Sequence, residues 1–378
     1  MHAHYLFFIF AFVVYTFINL YVYKKINPVW KSRSKCERLY INIFFFFFYF
    51  AFIIAMLGRN VFPLAIQKIL YFPGTIWMGI SLYLFMFFLL TDIIYLIIRI
   101  FYPVPSAVKK RFRKIQFYSV VILVSGLTVY GLFQFFNPKI VEQNIHISKT
   151  AGAYKRLKIA GVSDIHLGVA IDRARLQKYV KLINDQRPDL ILIAGDLIDN
   201  NVYPLEKERM WETINELKAP LGVYYCLGNH DYMVEIDSAM RFLHKTDMRL
   251  LIDTTVVINN SIQIAGRDDI KRSHNRKTLD EIVKNVDKTL PLLLLDHEPY
   301  HLEEAEKNGI DLQFSGHTHR GQIFPMNLLV KGMYELPYGY KQKGNTQYYV
   351  SSGLGLWGPP LRIGTQSEIV IFNIEFNH

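Results

Sequence analysis

The sequence predicts an α/β domain that follows four membrane-spanning helices. The first 137 of the 378 residues contain four apolar runs of about twenty residues, the length of helix that crosses a bilayer. The rest of the chain alternates short apolar or β-branched runs with stretches whose apolar positions have helical spacing. Alternation of this kind is typical of an α/β fold.

The four apolar runs define a membrane domain over residues 1–137, with predicted helices at 5–23, 39–58, about 75–98 and 115–136. An aromatic content of 15% suits lipid-facing helices and interfacial belts. The first run lacks a basic segment before it and is followed by Lys24 and Lys25, so we expect a retained span and not a cleaved signal peptide. Asp92, in the third run, either reaches the interface or has a function inside the membrane.

The lysine and arginine residues between the spans predict the orientation of the chain. Residues 24–38 and 99–114 contain six each, whereas residues 59–73 contain two. Because positively charged loops stay in the cytoplasm, we expect both six-charge loops inside. Four spans then place the C-terminal domain on the outer side of the cytoplasmic membrane. If one run is not a span, that domain lies in the cytoplasm.

The charge of the chain is divided unevenly. Residues 1–150 carry 16 Lys and Arg against 3 Asp and Glu, a net charge of +13, whereas residues 151–378 carry 27 against 29, a net charge of −2. The basic excess therefore belongs to the membrane part, and the C-terminal part lacks the charge of a nucleic-acid binder. Cys36 is predicted in a cytoplasmic loop and Cys226 in a strand of the C-terminal domain, so a disulfide between them would have to cross the membrane and we expect none.

The C-terminal part is predicted to be one domain over residues 151–378, which follows a linker at 138–150. An edge strand is predicted within residues 138–156. Helical spacing predicts helices at 173–186 and 208–218, each ended by a following proline. The residues from 346 onward read as closing strands joined by a glycine-rich turn.

Five short polar segments follow apolar strands in this domain. They contain carboxylates, an asparagine and histidines, which together suit a metal site: Asp164-x-His166, Gly195-Asp196, Gly228-Asn229-His230-Asp231, His297 and Gly316-His317-Thr318-His319. One such segment would be weak evidence. Five of them, each at the end of a predicted strand, indicate a common site.

The order and chemistry of these segments resemble the calcineurin-like metallophosphoesterase superfamily over about residues 155–378. The forms SDIHLG, GDLID, LGNHDY, DHEP and SGHTHRGQI are most similar to its membrane-associated bacterial branch. The resemblance implies a four-layer α/β/β/α sandwich and two divalent metal ions. It also implies seven metal ligands, all present here: Asp164, His166, Asp196, Asn229, His297, His317 and His319.

The resemblance further implies how these ligands are divided. Asp164, His166 and His319 would hold one ion, and Asn229, His297 and His317 the other, with Asp196 bridging the two. Two divalent cations offset the negative charge of a phosphate ester and lower the pKa of a bound water. Mixed imidazole and carboxylate ligands suit Mn, Fe or Zn.

His230 is then the proton donor to the leaving oxygen, and Asp231 is its candidate orienting partner. Arg320 stands where many relatives have a second glycine after the last histidine. It either contacts the substrate phosphate or faces solvent. Asp199 either supports the site or caps the next segment.

The sequence therefore predicts a membrane-anchored two-metal phosphoesterase that hydrolyses a phosphodiester, phosphomonoester or pyrophosphate. A location beside the bilayer suggests a lipid-linked substrate, and no nucleic acid is expected as a partner. The alternatives are a phosphodiesterase for soluble or nucleic-acid substrates, and a non-catalytic scaffold or sensor. The complete ligand set argues against the scaffold.

Overall fold

The structure, a computed structural model, describes residues 2–30, 33–103, 105–271 and 273–377. It divides the chain into two compact units. One comprises Met1–Phe133 with the short segment Gly358–Leu361, and the other comprises Gln134–Trp357 with Arg362–His378. We call them the membrane unit and the catalytic unit.

Four long apolar helices confirm the predicted number of spans. They are α1 (His2–Trp30), α2 (Lys35–Leu57), α3 (Leu64–Phe101) and α4 (Ser106–Phe136), and all four are long and apolar enough to cross a bilayer. The helices extend beyond the predicted spans. In particular, α3 begins at Leu64 and continues through Pro73, which an apolar helix tolerates. Lys68 therefore lies on a helix and not in the predicted 59–73 loop.

Asp92 is partnered by side chains of two neighbouring helices. Its carboxylate forms an ion pair with Lys25, accepts a hydrogen bond from Tyr21 Oη at 2.6 Å, and accepts another from Gln116 Nε2 at 2.9 Å. These contacts join α1, α3 and α4. Pairing offsets the cost of a carboxylate near a membrane, so Asp92 has a structural role in the bundle.

Two six-stranded sheets form the centre of the catalytic unit. The first has the order β1-β12-β2-β3-β4-β5, and the second the order β10-β11-β9-β8-β7-β6. The strands of the first are β1 (Lys139–Thr150), β2 (Arg156–Val162), β3 (Leu190–Ala194), β4 (Val223–Cys226), β5 (Arg249–Leu250) and β12 (Glu368–Asn377). Those of the second are β6 (Thr254–Ile258), β7 (Ile262–Gly266), β8 (Leu292–Leu295), β9 (Leu312–Ser315), β10 (Gly339–Lys343) and β11 (Thr346–Val350).

Helices cover the outer face of each sheet and complete four layers. Those packing on the first sheet are α5 (Arg173–Asp185), α6 (Tyr203–Lys207), α7 (Met210–Ile214) and α8 (Ile236–Leu243). On the second sheet are α9 (Leu279–Ile282) and α10 (Leu302–Lys307), and α11 (Met326–Met333) follows β9.

Strand β3 shows how the layers are built. Every side chain of β3 is buried, because Ile191 and Ile193 pack against the helices while Leu190 and Leu192 pack between the sheets. The four-layer α/β/β/α sandwich is confirmed.

Two segments differ from the sequence prediction. The edge strand predicted in residues 138–156 is present as β1, which lies at the edge of the first sheet and pairs in parallel with β12. It fills almost all of residues 138–150, where a linker was predicted. The helix predicted at 208–218 is shorter and comprises only α7, Met210–Ile214. It begins after Arg209, whose left-handed backbone with φ 52° separates it from α6.

Candidate metal centre

The ends of five strands bring the predicted ligands together. Asp164, Asp196 and Asn229 follow β2, β3 and β4 of the first sheet, and His297 and His317 follow β8 and β9 of the second. Because β2, β3 and β4 are parallel, as are β8 and β9, their carboxyl ends meet at the same edge of each sheet. The loops of both sheets converge there: the backbone N–H of His317 donates to Asp164 Oδ1 at 3.0 Å.

Asp164, His166 and His319 form the first cluster of donor atoms, all within 4.8 Å of one another. His166 Nε2 is 3.1 Å from His319 Nε2, which is 3.4 Å from Asp164 Oδ1. All three side chains are buried.

Asp196, His297 and His317 form the second cluster, and their donor atoms also lie within 4.8 Å of one another. His297 Nε2 is 3.1 Å from Asp196 Oδ2, and the side chain of Asn229 joins the cluster because its Oδ1 is 2.8 Å from His317 Nδ1. Asp196 Oδ2 is also 3.7 Å from His166 Nε2 of the first cluster. One carboxylate therefore faces both clusters.

The donor atoms fit divalent metal ions. Two ligands that each bind an ion at about 2.0–2.2 Å are roughly 3.0–3.5 Å apart, close to most of the spacings observed here. His297 presents Nε2 to the cluster, because its Nδ1–H donates to the Ala194 carbonyl at 2.8 Å. Burial lowers the pKa of this ring, but the Asp196 carboxylate outweighs burial and raises it. That Nε2 is buried without a hydrogen-bond partner in the part of the chain that the structure describes.

Burial controls the protonation of the clusters. It lowers the pKa of His166 and His319 well below the usual value and that of His317 to about 3, which keeps all three rings neutral. It also raises the pKa of the Asp164 carboxyl to about 6. Two carboxylates buried this deeply are costly without a positive partner, which a divalent cation supplies.

His230 lies at the edge of the first cluster and is held by Asp199. Its Nδ1–H donates to the Asp199 carbonyl at 2.9 Å, and the Asp199 carboxylate lies 3.6 Å from the same nitrogen. Burial lowers the pKa of His230, but Asp196 and Asp199 outweigh it and raise that pKa to about 9. Asp199 therefore supports the site and caps no helix, since α6 begins at Tyr203. His166, Asp199 and His230 also form a third potential donor group.

Asp231 does not orient His230. Its carboxylate accepts hydrogen bonds from the backbone N–H groups of Asp196 and Ile198, each at 3.0 Å, and from that of Gly228 at 2.8 Å. Tyr225 donates its hydroxyl to the same group. Through these bonds the Asp231 carboxylate fixes the backbone of the two loops that carry Asp196 and Asn229. The orienting contact expected from Asp231 is made by Asp199.

Arg320 is exposed, and its guanidinium lies 4.4 Å from the centre of the Tyr338 ring. Its φ of 50° is in the left-handed region, which explains why glycine suits this position. Stacking on Tyr338 places the charge on the surface beside His319.

Arg362 is a residue that the sequence analysis missed. It is fully buried, and its guanidinium donates to the carbonyls of His319 at 3.4 Å, Ser352 at 2.6 Å and Gly353 at 3.1 Å. A further bond goes to the carbonyl of Gly355. Arg362 thus joins the last ligand segment to the glycine-rich loop. Its segment, PPLRIG, has no strand periodicity or motif that could have indicated this.

Trp357 and Glu298 also adjoin the site without having been predicted. The Trp357 ring centre is 6.2 Å from that of His230, and its side chain is 54% exposed. The buried Glu298 carboxylate lies 3.1 Å from Lys271 Nζ and 3.6 Å from His317 Nε2. The DHEP segment could have indicated Glu298, which directly follows His297.

Two clusters of imidazoles and carboxylates at the strand ends of a four-layer sandwich define a metal-dependent hydrolase. Residues 157–321 match the model of the calcineurin-like phosphoesterase family. The chain is 30% identical over 380 residues to an uncharacterised metallophosphoesterase of Campylobacter jejuni, covering 96% of this chain and 99% of that protein. It belongs to the calcineurin-like phosphoesterase family and is a metal-dependent phosphoesterase.

Other relatives agree with this membership. An uncharacterised metallophosphoesterase of Helicobacter pylori is 36% identical over 271 residues, which cover 70% of this chain and 71% of that protein. A transmembrane protein with metallophosphoesterase domain from Danio rerio is 32% identical over 265 residues, which cover 66% and 60%. The resemblance stated from the motifs is confirmed, together with the association of this domain with membrane helices.

Proposed function

We propose that the protein is a two-metal phosphoesterase that hydrolyses a phosphodiester, phosphomonoester or pyrophosphate group carried by a membrane lipid. The observation that carries this is the convergence of two donor clusters on Asp196, in a chain whose four apolar helices keep it at a bilayer. The intact clusters favour an enzyme over the scaffold alternative.

Each side chain has a proposed role. Asp164, His166 and His319 hold one ion, and Asn229, His297 and His317 the other, while Asp196 contacts both. When bound, the ions supply Lewis acidity and a water of lowered pKa. The imidazole and carboxylate donors suit Mn, Fe or Zn.

The proton chemistry belongs to His230. Because Nδ1–H is held by the Asp199 carbonyl, Nε2 is the ring nitrogen available to the substrate. The Asp196 and Asp199 carboxylates raise the pKa of His230, which favours the protonated ring that a donor to the leaving oxygen requires. Arg320, on the surface beside His319, is the proposed contact for a substrate phosphate.

We further propose that the catalytic unit lies outside the cytoplasmic membrane. Six basic residues in 24–38 and six in 99–114 favour a cytoplasmic location for these two segments. With four spans, the segment that follows α4 is then on the outer side. The net charge of −2 over residues 151–378 supports a substrate other than nucleic acid.

The test is a screen of the full-length protein, loaded with Mn, Fe or Zn, against lipid pyrophosphates, lipid monoesters, phospholipids and soluble phosphodiesters. An Asp164→Asn variant prepared in parallel controls for contaminating phosphatases. Metal-dependent hydrolysis of a lipid substrate, absent in the variant, supports the proposal. Hydrolysis of soluble esters alone overturns the lipid assignment. No hydrolysis, with full metal content, favours the scaffold alternative.

A further inference from the structure

The segment from Phe324 to Met333 exposes large apolar side chains. Phe324 is 43% exposed, Met326 37%, Leu328 59%, Leu329 61% and Met333 64%, and none of the residues of α11 is buried. We call these five side chains the apolar patch. Exposed apolar surface that is contiguous along one short segment marks a site of interaction, because water-facing loops seldom concentrate such residues.

The apolar patch is fixed to the metal centre by the backbone. Gly321, two residues after His319, has a φ of +77°, and a Cβ there would lie 2.3 Å from the backbone nitrogen of Asn327 in α11. This close approach sets the start of α11 against the ligand turn. The Phe324 N–H also donates to the Ile363 carbonyl at 2.8 Å. These backbone contacts therefore hold the apolar patch in a defined position beside His319.

The chain joins the catalytic unit to the apolar helices at two places. Helix α4 ends at Phe136 and strand β1 of the catalytic unit begins at Lys139, so the tether between membrane helix and sheet is very short. Residues Gly358–Leu361 group with the four apolar helices, and Ile363, which bonds Phe324, follows them by two residues. The same stretch of chain thus leads from the membrane unit to the apolar patch.

The composition of α11 also suits a lipid surface. Leucine, methionine and phenylalanine side chains enter the boundary between headgroups and acyl chains, and basic residues beside them face anionic headgroups. Lys331 on α11 and Arg320 before it are exposed and basic. We infer that α11 is an interfacial helix whose apolar patch inserts into the surface of the bilayer that holds α1 to α4. The metal centre then works at the level of the lipid headgroups.

The test measures lipid contact in the full-length protein. A Cys36→Ser background removes the exposed cysteine, while Cys226 is buried and stays unlabelled. Leu329→Cys is labelled with an environment-sensitive fluorophore, and the protein is reconstituted in phosphatidylethanolamine and phosphatidylglycerol vesicles with or without brominated acyl chains. The matched control is Lys181→Cys on α5, whose side chain is 75% exposed and lies on a polar surface.

We expect the label at 329 to be quenched by brominated lipid at least about twofold more than the label at 181. Bromines near the headgroups should quench more than bromines deep in the acyl region, since an interfacial helix lies roughly 5–10 Å into the boundary. Adding Leu328→Asp should abolish that quenching and leave hydrolysis of a soluble chromogenic ester unchanged.

Equal quenching at 329 and 181 would overturn the inference. So would a label at 329 that is shielded from bromine and cross-links between copies of the chain, because the patch would then be a subunit interface. If Leu328→Asp fails to fold, the comparison of the two labelled positions still decides the question. Neither result depends on which phosphate ester the enzyme hydrolyses.

Discussion

Replacing His230 by glutamine separates proton transfer from metal binding. The backbone N–H of His230 donates to Asp196 Oδ1 at 2.7 Å, and this bond does not involve the side chain. In the protein, His230 Nδ1–H donates to the Asp199 carbonyl at 2.9 Å. The side-chain amide of a glutamine can donate to the same carbonyl. We therefore expect His230→Gln to keep the fold and the metal content and to lose only the ionisable group.

The size of the loss follows from the proton that His230 carries. Burial lowers its pKa, but Asp196 and Asp199 outweigh burial and raise the pKa, which favours the protonated ring. Removing such a general acid costs roughly 10²–10⁴-fold in rate. This corresponds to about 2.7–5.4 kcal/mol of transition-state stabilisation.

The assay compares two esters of the same phosphate, one with an alkyl leaving group and one with p-nitrophenolate. An alkoxide needs a proton to depart, whereas p-nitrophenolate does not, so the variant should lose less than about tenfold on the second ester. Metal content is measured on the same samples. An equal loss on both esters, or a loss of metal, would refute the proton-donor role.

Three further predictions concern the neighbours of His230, the buried arginine and the orientation. Asp199→Asn removes a charge that raises the pKa of His230, so His230 loses its proton at a lower pH. The alkaline limb of the pH profile of kcat should therefore move to lower pH. An unmoved limb would contradict this. Arg362→Lys cannot reach all four carbonyls, so the affinity of the metal site containing His319 should fall about 10–100-fold in a metal titration while the other site is kept. Equal weakening of both sites would point to a general structural role. A C-terminal alkaline phosphatase fusion should be active and a green fluorescent protein fusion dark, and the opposite pair would place the catalytic unit in the cytoplasm.

Much of the fold and the ligand set could be predicted because the signals are local. The four apolar runs need only length and hydropathy to indicate spans. Helix α5 was predicted over its full length because its apolar positions have helical spacing and Pro188 follows it. The candidate ligands could be named because their segments resemble the family motifs and each follows an apolar strand, and parallel strands carry such residues to one edge of a sheet.

The contacts that were missed depend on long-range packing. Asp231 follows His230 in the chain, but only the path of the loops shows that its carboxylate bonds backbone N–H groups beneath Asp196. Arg362 is separated from His319 by 43 positions and acts through backbone carbonyls, which leave no trace in the sequence. The break at Arg209 was likewise decided by backbone conformation, and the length of β1 by its pairing with β12.

The measurement that tests the two-metal account most directly is elemental analysis with parallel kinetics on the full-length protein and on Asp196→Asn. The Asp196 carboxylate faces His166 of one cluster and His297 of the other, so one substitution should disturb both sites. Asp185→Asn, on the exposed surface of α5, is the matched control. We predict about two metal equivalents in the protein and in the control, and a joint fall of occupancy and hydrolysis in Asp196→Asn. Two full equivalents with unchanged turnover in Asp196→Asn would contradict the account.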